Sequence, residues 1–332
     1  MARGLPMSRY ARQSAVPSFG PKGTAALRKA RVLVIGAGGL AAPVMQYLVG
    51  AGVGFIRLVD PDRVDLSNLH RQTLFREDDI GAPKVTAVAA HMGSLNSEVE
   101  IDAVKARFDP TLARMLCQDV DLVLDCADSF AASYGASDYC LEAGLPLISA
   151  SVVGTEGYAG GFCAGTPSLR ALFPDLPETL GSCDTDGVLG PSVGVIGSLQ
   201  AQMALAVLTK AQPSPLGQLV RYDALSLRFS QFRFDGAPEP EVGYRFIGAQ
   251  EISPIDHVID LRAEDEDGPA IPLTERRTVA ELAENGTSAT AEGARIVLAC
   301  RSGQRAWKAA DALTKHGHEN IALVALGGGA VD

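Results

Sequence analysis

The stretch RVLVIGAGGLAAPVMQYLVG, residues 31–50, decides the fold. Its opening RVLVI is aliphatic without alternation, the pattern of a strand buried on both faces. Gly36-Ala37-Gly38-Gly39-Leu40-Ala41 then breaks the strand, and an apolar helix runs on through Val49. Glycines between a strand and a helix permit a tight turn. They also bring backbone N–H groups at the positive end of the helix against a phosphate. FIRLVD, 55–60, reads as the next strand and ends on Asp60, at the spacing where an acid holds ribose hydroxyls. Gly-x-Gly-x-x-Ala with a later acid is most often an NAD or FAD site, so an NAD-dependent oxidoreductase is one reading of these residues.

Outward from this unit the chain keeps alternating. PKVTAVAAHMGSLN reads as a helix, VEIDAV, DLVLDC and PLISASV as strands, and residues 131–144 as a further helix. Strands alternating with helices predict an α/β chain with a Rossmann-like, doubly wound parallel sheet, which binds ligands at the carboxyl ends of its strands. The Gly- and Pro-rich segment 158–191 is expected as a long crossing loop. A helix over 192–210 and strands near 218–222 and 226–233 should follow. Residues 1–234 would form the first domain, 235–248 a linker and 249–332 a small α/β domain with strands HVIDL and RIVLAC and a helix after Ser302.

Composition narrows the partners. A formal net charge of −10 over 332 residues argues against nucleic acid and against a basic membrane surface. Six cysteines, none in a C-x-x-C pair, fit a reducing, cytoplasmic compartment better than a disulfide framework. The basic N-terminus leads into no apolar run, so no leader is expected. Two uncharged stretches, 32–56 and 187–209, are long enough to span a bilayer, but glycines, prolines and glutamines interrupt them, and no membrane span is expected.

After Asp60 comes a loop that a dehydrogenase does not need. DPDRVDLSNLHRQTLF, 60–75, gathers Asp62, Asn68, Arg71 and Gln72; Lys84 opens the next helix, and Asp128 follows the strand DLVLDC. A triphosphate requires cations around it and a carboxylate for magnesium, and these residues supply both. The string GxGGL, then AGVG-x-x-x-LVD-x-D-x-V-x-x-SNL-x-RQ-x-LF, then DIG-x-x-K, closely resembles the bacterial relatives of ubiquitin-activating enzymes, the adenylyltransferases of molybdopterin and thiazole biosynthesis.

The resemblance covers residues 9 to about 233. It implies ATP- and magnesium-dependent adenylation of the C-terminal glycine of a ubiquitin-like sulfur-carrier protein ending in Gly-Gly, on a homodimer. By it, Gly36, Gly38 and Gly39 line the phosphates, and Asp60 holds the ribose. Asp62 and Gln72 join the nucleotide site; Asn68, Arg71 and Lys84 stabilise the α-phosphate; Asp128 holds the metal. RYARQ at 9–13 matches the family's N-terminal motif, so Arg12 would act as an arginine finger in a partner subunit's site. Cys183, in GSCDTDGVLGP, falls on a cysteine used by some members for thioester or persulfide chemistry.

The chain departs from the pattern in two places. Zinc-binding C-x-x-C pairs of relatives should fall in SLRA, 168–171, and EPEV, 239–242; neither contains a cysteine, so no zinc is expected, and the crossing loop must be held otherwise or remain mobile. In DSFAASY, 128–134, Ser129 and Ser133 stand where relatives carry asparagine and arginine, which keeps open a non-catalytic, carrier-binding relative.

HVIDLR, AIPL and IVLACRSGQRAWKAADAL resemble a rhodanese domain, in shortened form. The resemblance implies that Cys300, in the loop CRSGQR, carries sulfane sulfur from a persulfide donor to the activated carrier. Inward N–H groups, a helix dipole, Arg301 and Arg305 would stabilise the sulfur anion. Asp260 and Arg262 are expected to be structural partners.

Overall fold

The computed structural model describes residues 9–176, 187–241, 243–266, 268–272, 275–287 and 294–327. Two short N-terminal helices, α1 (Ala11–Ser14) and α2 (Gly20–Lys29), lead into β1 (Arg31–Ile35), α3 (Ala41–Ala51), β2 (Phe55–Val59), α4 (Lys84–Leu95) and β3 (Glu100–Val104). The chain continues through α5 (Pro110–Leu116), β4 (Leu122–Asp125), α6 (Phe130–Ala143), β5 (Leu147–Val153), β6 (Glu156–Phe162), α7 (Leu169–Leu172), α8 (Gly190–Leu208), β7 (Gln218–Asp223) and β8 (Arg228–Arg233). These strands form one eight-stranded sheet in the order β3-β2-β1-β4-β5-β6-β7-β8.

Burial explains the apolar runs. Val32 and Val34 of β1 pack into one core with α3, α4 and α8, while Leu33 and Ile35 face the other with α5 and α6. A strand covered on both faces gains from aliphatic side chains at every position. Order reverses between β1 and β4, which opens a crevice at their carboxyl ends.

The sheet is not parallel throughout. β5, β6, β7 and β8 pair antiparallel, and β6 occupies the start of the segment expected as a crossing loop. Its sequence EGYAGGF is glycine-rich because other groups approach the backbone closely. A Cβ on Gly157 would lie 2.9 Å from Ile196 Cγ1, and one on Gly161 would lie 2.5 Å from the carbonyl oxygen of Pro215. The same logic sets α8 against α3. A Cβ on Gly197 would stand 2.5 Å from Pro43 Cγ, so the apolar length of α8 is core helix, packed against α3 and the sheet. It is the helix, among the described residues, long and apolar enough to cross a membrane.

A second, all-parallel sheet follows, built from β9 (Arg245–Phe246), β10 (His257–Asp260), β11 (Glu275–Arg276), β12 (Ile296–Cys300) and β13 (Ile321–Ala325) in the order β11-β10-β12-β13-β9. Helices α9 (Val279–Asn285) and α10 (Gln304–Lys315) accompany it. β9 falls inside the segment expected as linker, because Phe246 pairs with β13 and is buried. The two sheets share a core: Ala131 and Tyr134 of α6 pack with Phe246, Trp307 and Leu323. Tyr134 and Trp307 ring centroids lie 5.5 Å apart, and those of Phe130 and Phe246 5.8 Å. Arg170 clasps this seam, donating to Asp138 at 2.6 and 2.9 Å and to the Tyr244 carbonyl at 3.0 Å.

The two segments where zinc pairs would fall meet directly. Ser168 donates its N–H to Glu239 Oε1 at 2.7 Å and its hydroxyl to Oε2 at 2.5 Å. A two-point hydrogen bond to a carboxylate thus ties the start of α7 to the segment that leaves β8.

Candidate functional site

A cavity of about 500 Å³ occupies the crevice at the carboxyl ends of β1 and β4. Its floor is the glycine turn. Gly36 has φ +92, and a Cβ there would lie 2.7 Å from the Cys126 carbonyl oxygen, so both backbone and space demand glycine. Gly38 is different: the nearest atom to its absent Cβ is Gln72 Nε2 at 3.7 Å, which leaves its face open to the cavity. Helix α3 starts at the turn with no side-chain cap, so its first N–H groups are available to an anion.

Asp60 follows β2 directly and is buried. Its carboxylate accepts the Ala37 N–H at 2.7 Å and the Asp62 N–H at 2.8 Å, which fixes it beside the turn. Burial pushes its carboxyl above the ordinary range, against the opposing pull of Lys84. Lys84 is itself buried and donates to Asp62 Oδ2 at 3.0 Å. Arg71, half-buried, donates to the Ser67 carbonyl at 3.1 Å. Gln72 lies beneath the turn with Oε1 buried and unpartnered among the described residues. Asp128, exposed, sits on the cavity wall after β4.

Gly36, Gly38, Gly39, Asp60, Asp62, Arg71, Gln72, Lys84 and Asp128 are therefore brought together. Asn68 is not among the lining residues. Its Oδ1 accepts the Asp65 N–H at 3.2 Å, closing the cap of a short 3-10 turn at Leu66–Asn68. Arg12 is exposed and lies elsewhere. Tyr10, two residues before it, packs on Gly52 at the far end of α3 and accepts from Asn96 at 2.9 Å. Eleven helical residues, about 16 Å, separate that end from the glycine turn. Cys183 lies outside the described residues.

Ser133 does not enter as a substitute for a cation. Its hydroxyl donates to the Ser129 carbonyl at 3.3 Å, and it also faces Asp125. Asp125 is fully buried behind the cavity, accepts the Ser149 hydroxyl at 2.7 Å, and has its carboxyl pushed up to about 6 by desolvation. Asp125 was passed over because it reads as an interior residue of the strand DLVLDC.

The cysteine loop forms part of the same cavity's surroundings. Cys300 ends β12, fully buried, and its Sγ accepts the N–H groups of Gly303 at 3.1 Å and Ala306 at 3.4 Å. Arg301 and Gln304, on either side of that loop, line the cavity. Arg305 is paired with Glu266 and also reaches Cys300; both partners hold its guanidinium above the ordinary value, Glu266 the more strongly. Asp260 is held by Arg262 and Arg276; burial pushes its carboxyl up, but these guanidinium hydrogen bonds bring it below the ordinary value. Arg107, Phe130 and Phe246 also border the cavity and were missed. Arg107 could have been found, since it follows β3 at the ligand-binding edge of the sheet.

A sequence profile of the ThiF family matches residues 10–243. The chain belongs to the ThiF family. Among relatives, the SAMP-activating enzyme E1 of Haloferax volcanii is 37% identical over 255 residues, 76% of this chain and 94% of that protein. The sulfur carrier protein adenylyltransferase of Thermus thermophilus is 38% identical over 231 residues, 67% of this chain and 85% of its own. The adenylyltransferase and sulfurtransferase MOCS3 of Xenopus laevis is 41% identical over 232 residues, 69% of this chain, which spans only 51% of that relative. Among solved structures, E. coli MccB with ATP superposes with a TM-score of 0.62 at 23% identity, covering 71% of this chain and 75% of that one. PaaA superposes with a TM-score of 0.58 at 20% identity, covering 70% and 74%. These structural likenesses show a shared ThiF-type fold, Rossmann-like and predominantly parallel around the crevice.

Proposed function

We propose that this ThiF-family adenylyltransferase uses ATP and magnesium to adenylate the C-terminal glycine of a ubiquitin-like sulfur carrier ending in Gly-Gly. The observation that carries this reading is the convergence, in one crevice, of an uncapped helix start, Arg71, Lys84, Asp60 and an exposed Asp128. The carrier's carboxylate attacks the α-phosphorus, the bond to the β-phosphate oxygen breaks, and pyrophosphate leaves. Charge that builds on the phosphates meets Arg71, Lys84 and the N–H groups of the glycine turn, all positioned beforehand. Asp60, fixed by two backbone N–H groups, presents its remaining lone pairs to ribose hydroxyls. One carboxylate beside a polyphosphate is a suitable donor set for magnesium, which takes most of its ligands from phosphate and water, so Asp128 would hold it. Arg12, held at the far end of α3, is suited to the site of a second copy in a homodimer.

The finer reading assigns residues 1–234 to adenylation and the second sheet to sulfur delivery from a persulfide donor, within a thiazole or molybdopterin pathway. Two N–H groups directed at Cys300 Sγ are suited to a persulfide there. Its terminal sulfur attacks the acyl carbon of the acyl-adenylate and AMP leaves. A second thiol, for which Cys183 is the candidate, then attacks Cys300 Sγ, forming a Cys183–Cys300 disulfide as the S–S bond to the acyl group breaks and the thiocarboxylate leaves; a dithiol reductant returns both cysteines to thiols. No histidine borders the cavity among the described residues, so a hydride-transfer reading has no general acid or base of that kind to draw on. ATP–pyrophosphate exchange that depends on a Gly-Gly carrier tests adenylation. Exchange should fall at least about 100-fold in Arg71→Ala and Asp128→Ala. ATP binding without exchange in the presence of the cognate carrier would favour the non-catalytic, carrier-binding reading instead.

A further inference from the structure

The wall of the cavity that faces the β3 side is not built by the first sheet alone. Phe246, Ile247, Arg301, Gln304 and Ala325, all from the second sheet and its connections, line it. The contact is tight at two glycines. A Cβ on Gly303 would lie 2.7 Å from Phe246 Cε1 and 3.4 Å from Phe130 Cζ, and one on Gly327, whose φ is +75, would overlap the Arg107 guanidinium. The second sheet is thus seated on the loop after β3 and on the start of α6.

Strand order says which end of a nucleotide this wall meets. The glycine turn follows β1, Asp60 follows β2, and Arg107 follows β3, in neighbouring strands. A nucleotide with its phosphates on the turn and its ribose at Asp60 directs its base onward to Arg107 and Phe108. Two polar features there lack partners. Arg107 Nε is buried without a hydrogen bond, and the exposed Arg301 guanidinium makes no hydrogen bond or ion pair among the described residues. A planar guanidinium stacks on an aromatic base, and a glutamine amide can pair with its edge.

We propose that the second sheet completes the nucleotide site in the same chain, with Arg301 and Gln304 contacting the purine base. The proposal rests on the reading that the cavity binds an adenine nucleotide. Arg301 adjoins Cys300 and Gln304 opens α10, so occupancy of the nucleotide site and the arrangement of the cysteine loop are coupled. The loop that would carry sulfur then contacts the nucleotide whose acyl anhydride it attacks.

The chain contains one tryptophan, Trp307, on α10 and stacked near Tyr134 of α6, so its emission reports on this seam in the full-length protein. ATP, AMP and inorganic pyrophosphate are each titrated, with magnesium, into wild type, Arg301→Lys and Arg301→Ala/Gln304→Ala, with isothermal calorimetry in parallel. The double variant should bind ATP and AMP each about 10-fold more weakly and pyrophosphate as wild type does. Arg301→Lys, which keeps the charge but not the plane, should lose most of the Arg301 share. Equal melting temperatures of the free proteins establish that the variants are folded. Wild-type binding of AMP that the double variant retains at full strength would overturn the proposal. So would a loss confined to ATP and pyrophosphate, which would put Arg301 at the phosphates. A wild type that binds no adenine nucleotide at all overturns the adenylation reading itself, and is told apart from those outcomes by that control.

Discussion

Gly36→Ala, Gly38→Ala and Gly144→Ala separate three roles of glycine that the sequence alone renders alike. At Gly36 the backbone is left-handed, φ +92, and the new Cβ would lie 2.7 Å from the Cys126 carbonyl oxygen, well inside ordinary contact. The left-handed conformation costs an alanine about 1–2 kcal/mol. Moving the backbone of the turn after β4 costs about 1–3 kcal/mol more. The sum, about 2–5 kcal/mol, corresponds to a fall in melting temperature of about 5–15 °C for a unit of this size. Because Asp128 follows Cys126 by two residues, the same shift should also weaken ATP binding. Gly144 is left-handed too, φ +65, but has nothing within 4 Å, so its alanine variant should pay only the conformational part and bind ATP normally. Gly38 is not strained and its absent Cβ meets only Gln72 Nε2 at 3.7 Å. Gly38→Ala should melt within about 1 °C of wild type yet bind ATP at least about 10-fold more weakly, because the methyl occupies space meant for phosphate. Scanning fluorimetry and calorimetric ATP titration give both readouts. Equal melting of Gly36→Ala and wild type, or full ATP affinity in Gly38→Ala, would refute the reasoning.

Asp125 has its folded pKa raised from 3.8 to about 6, so the folded state holds the proton more tightly than the unfolded chain between those values. Stability should therefore fall by about 3 kcal/mol as pH rises from about 4 to about 6, and Asp125→Asn should flatten that part of the denaturation profile. Ser168→Ala removes both a hydroxyl to Glu239 and the cap that accepts from Arg170 and Ala171 N–H groups, and should cost about 1–3 kcal/mol in chemical denaturation; Glu239→Gln should cost less, since an amide oxygen still accepts. Cys300→Ala should retain carrier-dependent ATP–pyrophosphate exchange and lose persulfide-dependent thiocarboxylate formation, read by mass spectrometry of the carrier; unchanged formation would remove Cys300 from the sulfur path.

Much of the site was legible because its parts are close in sequence. The turn at 36–39, the acid just after β2, the arginine of the following loop and the lysine that opens α4 lie close together along one stretch of chain, so local pattern carries their geometry. Segments governed by distant contacts were not legible. β6 was read as loop because glycine signals a turn locally, whereas here it admits Ile196 and Pro215 against the strand. Asn68 was grouped with Arg71 by the family resemblance, and the cap that its side chain closes on Asp65 was not legible beside that role. Arg305 was placed beside Cys300 from the loop alone, but its ion pair with Glu266 comes from a segment 39 residues earlier that the loop does not announce.

By itself, then, the sequence determined the class of fold, the nucleotide-binding edge and the presence of a cysteine ahead of an arginine-bearing helix start. Those follow from periodicity and from residue chemistry within a few turns of chain. Only the tertiary structure decided that Ser168 and Glu239 hold the two segments where zinc pairs were sought. It alone seats Arg301 and Gln304 on the cavity that opens at Gly36, more than two hundred residues earlier. The reason is physical: a hydrophobic seam such as Tyr134 on Trp307 forms wherever two apolar surfaces fit, and shape complementarity between distant segments leaves no periodic trace in either one.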